Sequence, residues 1–229
     1  MLRQKSPLLA LVVWCCVLLV VRFWYSGSTV RGYLLWNLFL AIVPVVSAAG
    51  LRLVARRPGI TVVKVAVFCV WLAFLPNAPY LVTDLKHLTF YPPIPLWFDV
   101  ALFASFAATG VLLAYASVAD IEVVAGSRFG RTVGSAVAVG SLLLCGVGVY
   151  VGRFLRWNSW DILTAPGSIA WQVVHHVVHP MSHTLTWEVS AIYGIGLAIG
   201  YVALRSIAST WGVDASRSAQ HRYRTDGAR

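Results

Sequence analysis

Six apolar runs dominate the chain, at residues 8–25, 33–51, 60–75, 96–118, 132–151 and 185–207. A helix needs about 20 mostly apolar residues to cross the ~30 Å hydrocarbon core of a bilayer. Each run reaches or approaches that length. In lipid, a backbone can satisfy its own polar groups only as a helix or a closed barrel, and runs this long and continuous belong to helices. The expected fold is therefore all-α: a polytopic transmembrane bundle of about six spans, in a single domain over residues 1–208. Composition points the same way. Of 229 residues, 59% are hydrophobic and 11% charged, whereas a soluble domain is about a quarter charged. Residues 209–229 are polar, basic and rich in Ser, Arg and Gly, and read as a disordered cytoplasmic tail. Arg3 and Lys5 give the first run the look of a secretory signal. The sequence Trp24-Tyr25-Ser26-Gly27-Ser28 is a poor cleavage site, however, so the run is read as a retained span.

The net charge of +10 would suggest nucleic acid on a soluble protein. Here most of the charge lies in loops and tails, where it sets topology and meets lipid headgroups, and no nucleic-acid partner is expected. With six spans, twelve Lys and Arg residues fall on the side of the termini and five on the other, while Lys64 can snorkel toward the first side. The positive-inside rule then places both termini in the cytoplasm of a cell (inner or plasma) membrane. The four cysteines, Cys15, Cys16, Cys69 and Cys145, all lie in apolar runs without metal-type spacing and read as core or lipid-facing residues.

Polar residues are concentrated in two stretches. Residues 71–88, WLAFLPNAPYLVTDLKHL, begin as an apolar helix, break at Pro76-Asn77-Ala78-Pro79 and end in a polar run. Residues 152–161 read GRFLRWNSWD. The expected topology puts both on the outer side, together with Asp99 at the start of the fourth span and Glu188 near the start of the sixth. The two stretches are therefore expected to meet as halves of one polar cluster, with Asp84 facing Arg153 or Arg156. Gly148-x-x-x-Gly152 and Gly196-x-x-x-Gly200 are expected to be packing seams, because small residues four apart let helix backbones approach. Between the last two spans, residues 168–183 read SIAWQVVHHVVHPMSH. Valines fall on one helical face and histidines on the other, which predicts an additional helix lying in the outer interface over residues 169–179.

The pair FLPNAPYLVTDLKHL and GRFLRWNSWDIL resembles a family of bacterial integral membrane proteins described as domain of unknown function 1361. The resemblance runs from the second span to the sixth. It rests on Pro76, Asn77, Pro79, Tyr80, Thr83, Asp84, His87 and Leu88, and on Gly152, Arg153, Phe154, Arg156, Asn158, Ser159, Trp160 and Asp161. It implies a multi-helix membrane protein with these motifs as its hallmark, and it implies no activity. The histidine-rich stretch is outside the matched pattern.

Each candidate residue has a plainer reading beside its chemical one. Asp84 and His87, three apart, share a helical face and could pass a proton or hold a metal; Asp84 or Thr83 could equally cap a short helix. Asn77 sits between two prolines, where its amide can satisfy a carbonyl they leave unpaired. Tyr80 suits an interfacial aromatic belt. Arg153 and Arg156 could clamp an anion, or pair with Asp84, Asp99, Asp161 or Glu188, and Asn158 lies between the arginine and the acid of the second motif. His175, His179 and His183 are spaced to gather a metal, but Pro180 interrupts them and solvated histidines are the simpler reading. The sequence identifies no cofactor, and the common soluble-enzyme signatures are absent.

Three functions stay open on these grounds: a structural or binding protein held by an outer-face charge lock, an enzyme acting on a lipid-linked or cell-envelope substrate through Asp84 and His87, and a transporter. Transport ranks last because the middles of the spans carry almost no charge. Membrane lipids are the expected partners, with a protein partner or envelope substrate left open.

Overall fold

The computed structural model describes residues 6–55, 57, 59–89, 93–153, 167, 171 and 184–226. Its helices are α1 (Ser6–Ser26), α2 (Tyr33–Val54), α3 (Thr61–Phe74), α4 (Asn77–Thr83), α5 (Leu96–Phe129), α6 (Arg131–Arg153) and α7 (Thr184–Asp226), with a 3-10 turn at Asp84–His87 after α4. Among the described residues, six helical segments are long and apolar enough to cross a membrane, α3, α4 and the 3-10 turn counting together as one. The expected interfacial helix lies outside the described residues. α7 continues as helix to Asp226, through the stretch whose composition reads as a tail.

The third span shows how the sequence sets local geometry. Pro76 has no amide hydrogen to continue α3, which ends at Phe74. The chain restarts at once as α4, with Pro79 in its first turn, where a missing N–H costs nothing. Asn77 Nδ2 donates to the Phe74 carbonyl across the break, at 3.0 Å.

α5 is the axis of the bundle, packing against α1, α2, α4 and α6. It starts after Pro95, whose extended backbone cannot belong to the helix, and ends at Gly130, whose φ of 98° is costly for any side chain. Gly130 is the single residue between α5 and α6, so the two helices fold back on each other directly. On α1 the buried residues are Cys15, Leu18, Leu19 and Arg22, one stripe at helical spacing. That stripe runs antiparallel along α5: the Cys15 Sγ lies 3.3 Å from the Thr109 hydroxyl, and Arg22 pairs with Asp99. Two polar side chains inside the spans are satisfied by each other and by backbone. The Trp71 indole N–H donates to the Ser117 hydroxyl, which donates to the Ala114 carbonyl.

Close backbone approaches occur where a side chain is missing. A Cβ at Gly110 of α5 would lie 2.2 Å from the Ala78 carbonyl oxygen of α4. A Cβ at Gly146 of α6 would lie 2.1 Å from the Ser190 carbonyl oxygen of α7. The seam between α6 and α7 therefore runs through Gly146 and Gly194. Of the glycines expected to pack, Gly148 meets the Pro76 ring of the third span, Gly200 meets the Tyr115 hydroxyl, and Gly196 faces open space. The spacing of four was a fair sign of packing glycines. Which helix each one meets depends on its rotation about the helix axis, and spacing does not encode that.

Candidate functional site

α4 and its 3-10 turn bring Asp84 to the end of the bundle where α2 and α5 begin and Arg153 of α6 lies. Asp84 is 1% exposed. Its Oδ2 accepts from Asn37 Nδ2 of α2 at 2.8 Å, and its Oδ1 lies 3.4 Å from Arg153 Nη1 of α6. Arg153 is the better-anchored partner. Its Nη2 donates to the Thr83 carbonyl at 2.7 Å, its Nη1 to the Tyr80 hydroxyl at 3.0 Å, and its guanidinium stacks 5.2 Å from the centre of the Tyr80 ring. Three spans are thus tied at one point, and Tyr80 serves as an arginine platform. Asp84 does not cap a helix. Thr83 donates back to the Tyr80 carbonyl, leaving the Asp84 carboxylate free to face Asn37 and Arg153.

His87 is half-buried, its ring 5.7 Å from that of Tyr33 in an edge-on arrangement. Asp99 belongs to a different contact. Arg22 of α1 grips it with two hydrogen bonds, at 2.7 and 3.2 Å, and both side chains are 2% exposed. Glu188 is exposed on the first turns of α7. Arg156, Asn158, Asp161, His175, His179 and His183 lie outside the described residues. Among the described residues no group of three or more potential ligands could hold a metal ion.

A second polar layer occupies the opposite end. Arg52 of α2 pairs with Asp120 of α5. Glu122 of α5 accepts from Ser135 of α6 at 2.8 Å and from Tyr201 of α7 at 2.6 Å, and pairs with Arg205. Sequence reasoning overlooked Asn37, Arg22, Asp120 and Glu122. The signal was available in part: the chain has only eight carboxylates, and two of them, 120 and 122, follow directly on a long apolar run. Asn37 is likewise a lone amide inside a span.

The spacing of the two layers is informative. From Asp99 to Asp120 along α5 the rise is roughly 32 Å, close to one hydrocarbon thickness. Among the described residues four ion pairs join helices distant in sequence, and those of Asp99 and Asp120 stand about one bilayer core apart along α5. Between Asp99 and Asp120, α5 carries no charged residue. Six helices long and apolar enough to cross a bilayer, tied to one another by ion pairs, define a multi-pass integral membrane protein.

The chain belongs to the family described as protein of unknown function DUF1361, whose sequence profile matches residues 36–200. The match takes in both polar stretches and leaves out α1, so the Arg22 half of the Arg22–Asp99 ion pair lies beyond it. Comparison with curated proteins and with solved structures gives no match.

Proposed function

We propose that the protein is a structural or binding component of the cell membrane, with the Asp84–Arg153 cluster on its outer face acting as an interhelical lock. The observation that carries this reading is closure. Asp84 is 1% exposed and both its oxygens are engaged by side chains from two other spans. A general base or nucleophile has to reach a substrate, and this carboxylate is spent on Asn37 and Arg153. Counting Arg22 and Arg31, the outer segments hold five Lys and Arg residues against four acids, and Asp99 is already balanced by Arg22. Near-neutrality suits a lock. Arg153 is also the last described residue of α6, and residues 154–183 follow it in sequence. Those residues, with Arg156, Asn158 and Asp161, are the natural place to look for an envelope partner.

A double-mutant cycle tests the lock. Asp84→Asn alone and Arg153→Gln alone each strand a buried polar partner, so each should cost more than its half of the double change. A coupling of about 1–3 kcal/mol, read from thermal unfolding in detergent, is expected for groups in contact. Strict additivity would remove the lock reading. The competing enzyme reading uses Asp84 with His87, the half-buried member of the pair. It would gain from an Asp84→Asn variant that is fully stable yet loses its cellular role.

Orientation is tested separately, in a background with the four native cysteines changed to alanine. Thr89→Cys, beside the Asp84 cluster, is expected to react with a membrane-impermeant thiol reagent added to intact cells. Ser127→Cys, at the Glu122 end, is expected to react only after lysis. Both positions are exposed, so silence at Thr89 with reaction at Ser127 would invert the assignment.

A further inference from the structure

At the Glu122 end, α5 and α7 meet at Tyr115, whose hydroxyl donates to the Leu197 carbonyl at 2.9 Å. Beyond that contact lies a cavity of about 520 Å³ between the two helices and the start of α6. Its polar floor is Tyr201, Glu122 and Arg205, and its walls include the exposed apolar side chains Val123 and Leu204. Arg131, the first residue of α6, also lines it.

The charges in this cavity do not cancel. Glu122 is 7% exposed and its carboxylate is saturated by Ser135, Tyr201 and Arg205. One acid is therefore balanced by one arginine. Arg131 is exposed and makes no ion pair among the described residues. The leading amides of α6, unpaired within their own helix, stand beside it and favour the same sign of ligand. Depth decides between kinds of anion. Glu122 lies roughly 35 Å along α5 from Asp99, which is headgroup level if Asp99 marks the opposite interface. At that level the cavity lining combines the exposed apolar side chains of Val123 and Leu204 with the Arg131 cation.

We propose that this cavity binds an anionic phospholipid, its phosphate on Arg131 and the upper part of one acyl chain along Val123 and Leu204. A free phosphate would use the arginine and leave the apolar wall unoccupied. A zwitterionic lipid would use the wall but place a cation of its own near Arg131. The site stands apart from the Asp84 cluster and does not depend on how that cluster functions.

The test is titration of phosphatidylglycerol into the full-length protein in detergent, read by the unfolding midpoint and by native mass spectrometry of bound lipid. Phosphatidylcholine and inorganic phosphate are the comparison ligands. Arg131→Gln should weaken phosphatidylglycerol binding about fivefold, the contribution of one basic residue near an anionic headgroup. Arg128→Gln, an exposed change on α5 that does not line the cavity, should leave it unchanged. Val123→Trp keeps every charge but fills the apolar wall, and should also weaken binding. Because Val123 is 55% exposed, that variant should fold. Equal binding of phosphatidylcholine, an unaffected Arg131→Gln protein, or inorganic phosphate competing in both wild type and Val123→Trp would each overturn the lipid assignment.

Discussion

Arg22→Met is expected to lower the unfolding midpoint of the detergent-solubilised protein by on the order of 10 °C, whereas Arg22→Met combined with Asp99→Leu should recover most of that loss. Arg22 and Asp99 form the most buried ion pair among the described residues, each side chain 2% exposed and joined by two hydrogen bonds. Removing the arginine leaves a carboxylate in apolar surroundings without a counter-charge. Stranding a buried charge in this way costs about 3–5 kcal/mol, while replacing both partners by apolar groups of similar size is often neutral. The pair joins α1 to α5 near one end of both helices, so the single variant should loosen α1 first. Limited proteolysis in the α1–α2 connection would report that loosening. If the single and double variants unfold together, the pair contributes nothing beyond packing.

The second large effect is expected at a glycine. Gly146→Ala should disrupt the packing of α7 on α6, because the added Cβ would lie 2.1 Å from the Ser190 carbonyl oxygen and 2.7 Å from the Gly194 amide nitrogen. Both are backbone atoms of a helix, so no rotamer change relieves the overlap and the helices must separate. Separation forfeits dispersion contacts along the whole seam, and overpacking of this kind typically costs 1–3 kcal/mol or more. Gly196→Ala is the internal control. It adds the same methyl group on α7 where nothing lies within 4 Å, and removes a residue of poor helix propensity, so stability should be unchanged or slightly raised. A comparison of unfolding midpoints, with cysteine crosslinking between α6 and α7, separates the two. Equal behaviour of the variants would mean that Gly146 does not mark the seam.

Much of this protein is legible in its sequence because a bilayer leaves few choices. Six runs of apolar residues had to become helices, since lipid offers their backbones no other hydrogen-bond partners. Pro76 breaks the third span, because proline cannot donate to the helix preceding it, and Pro79 sits in the first turn of the helix that restarts. The concentration of scarce polar residues in two stretches identified one end of the bundle as the place to look, and Asp84, Tyr80 and Arg153 are together there.

What the sequence did not determine was who pairs with whom. Asp99 stands near Asp84 in the expected topology, yet it belongs to Arg22, on a helix outside both motifs. Asp84 turned from helix capping to Asn37, an amide 47 positions away. The glycine seam chose Gly146 over the neighbours whose spacing matched the familiar pattern. In each case the deciding quantity is the rotation and lateral placement of one helix against another. Many small packing contacts set these together, and no local stretch of sequence carries them. Local chemistry dictated that charges near lipid must be neutralised; only the assembled bundle decided by which partner.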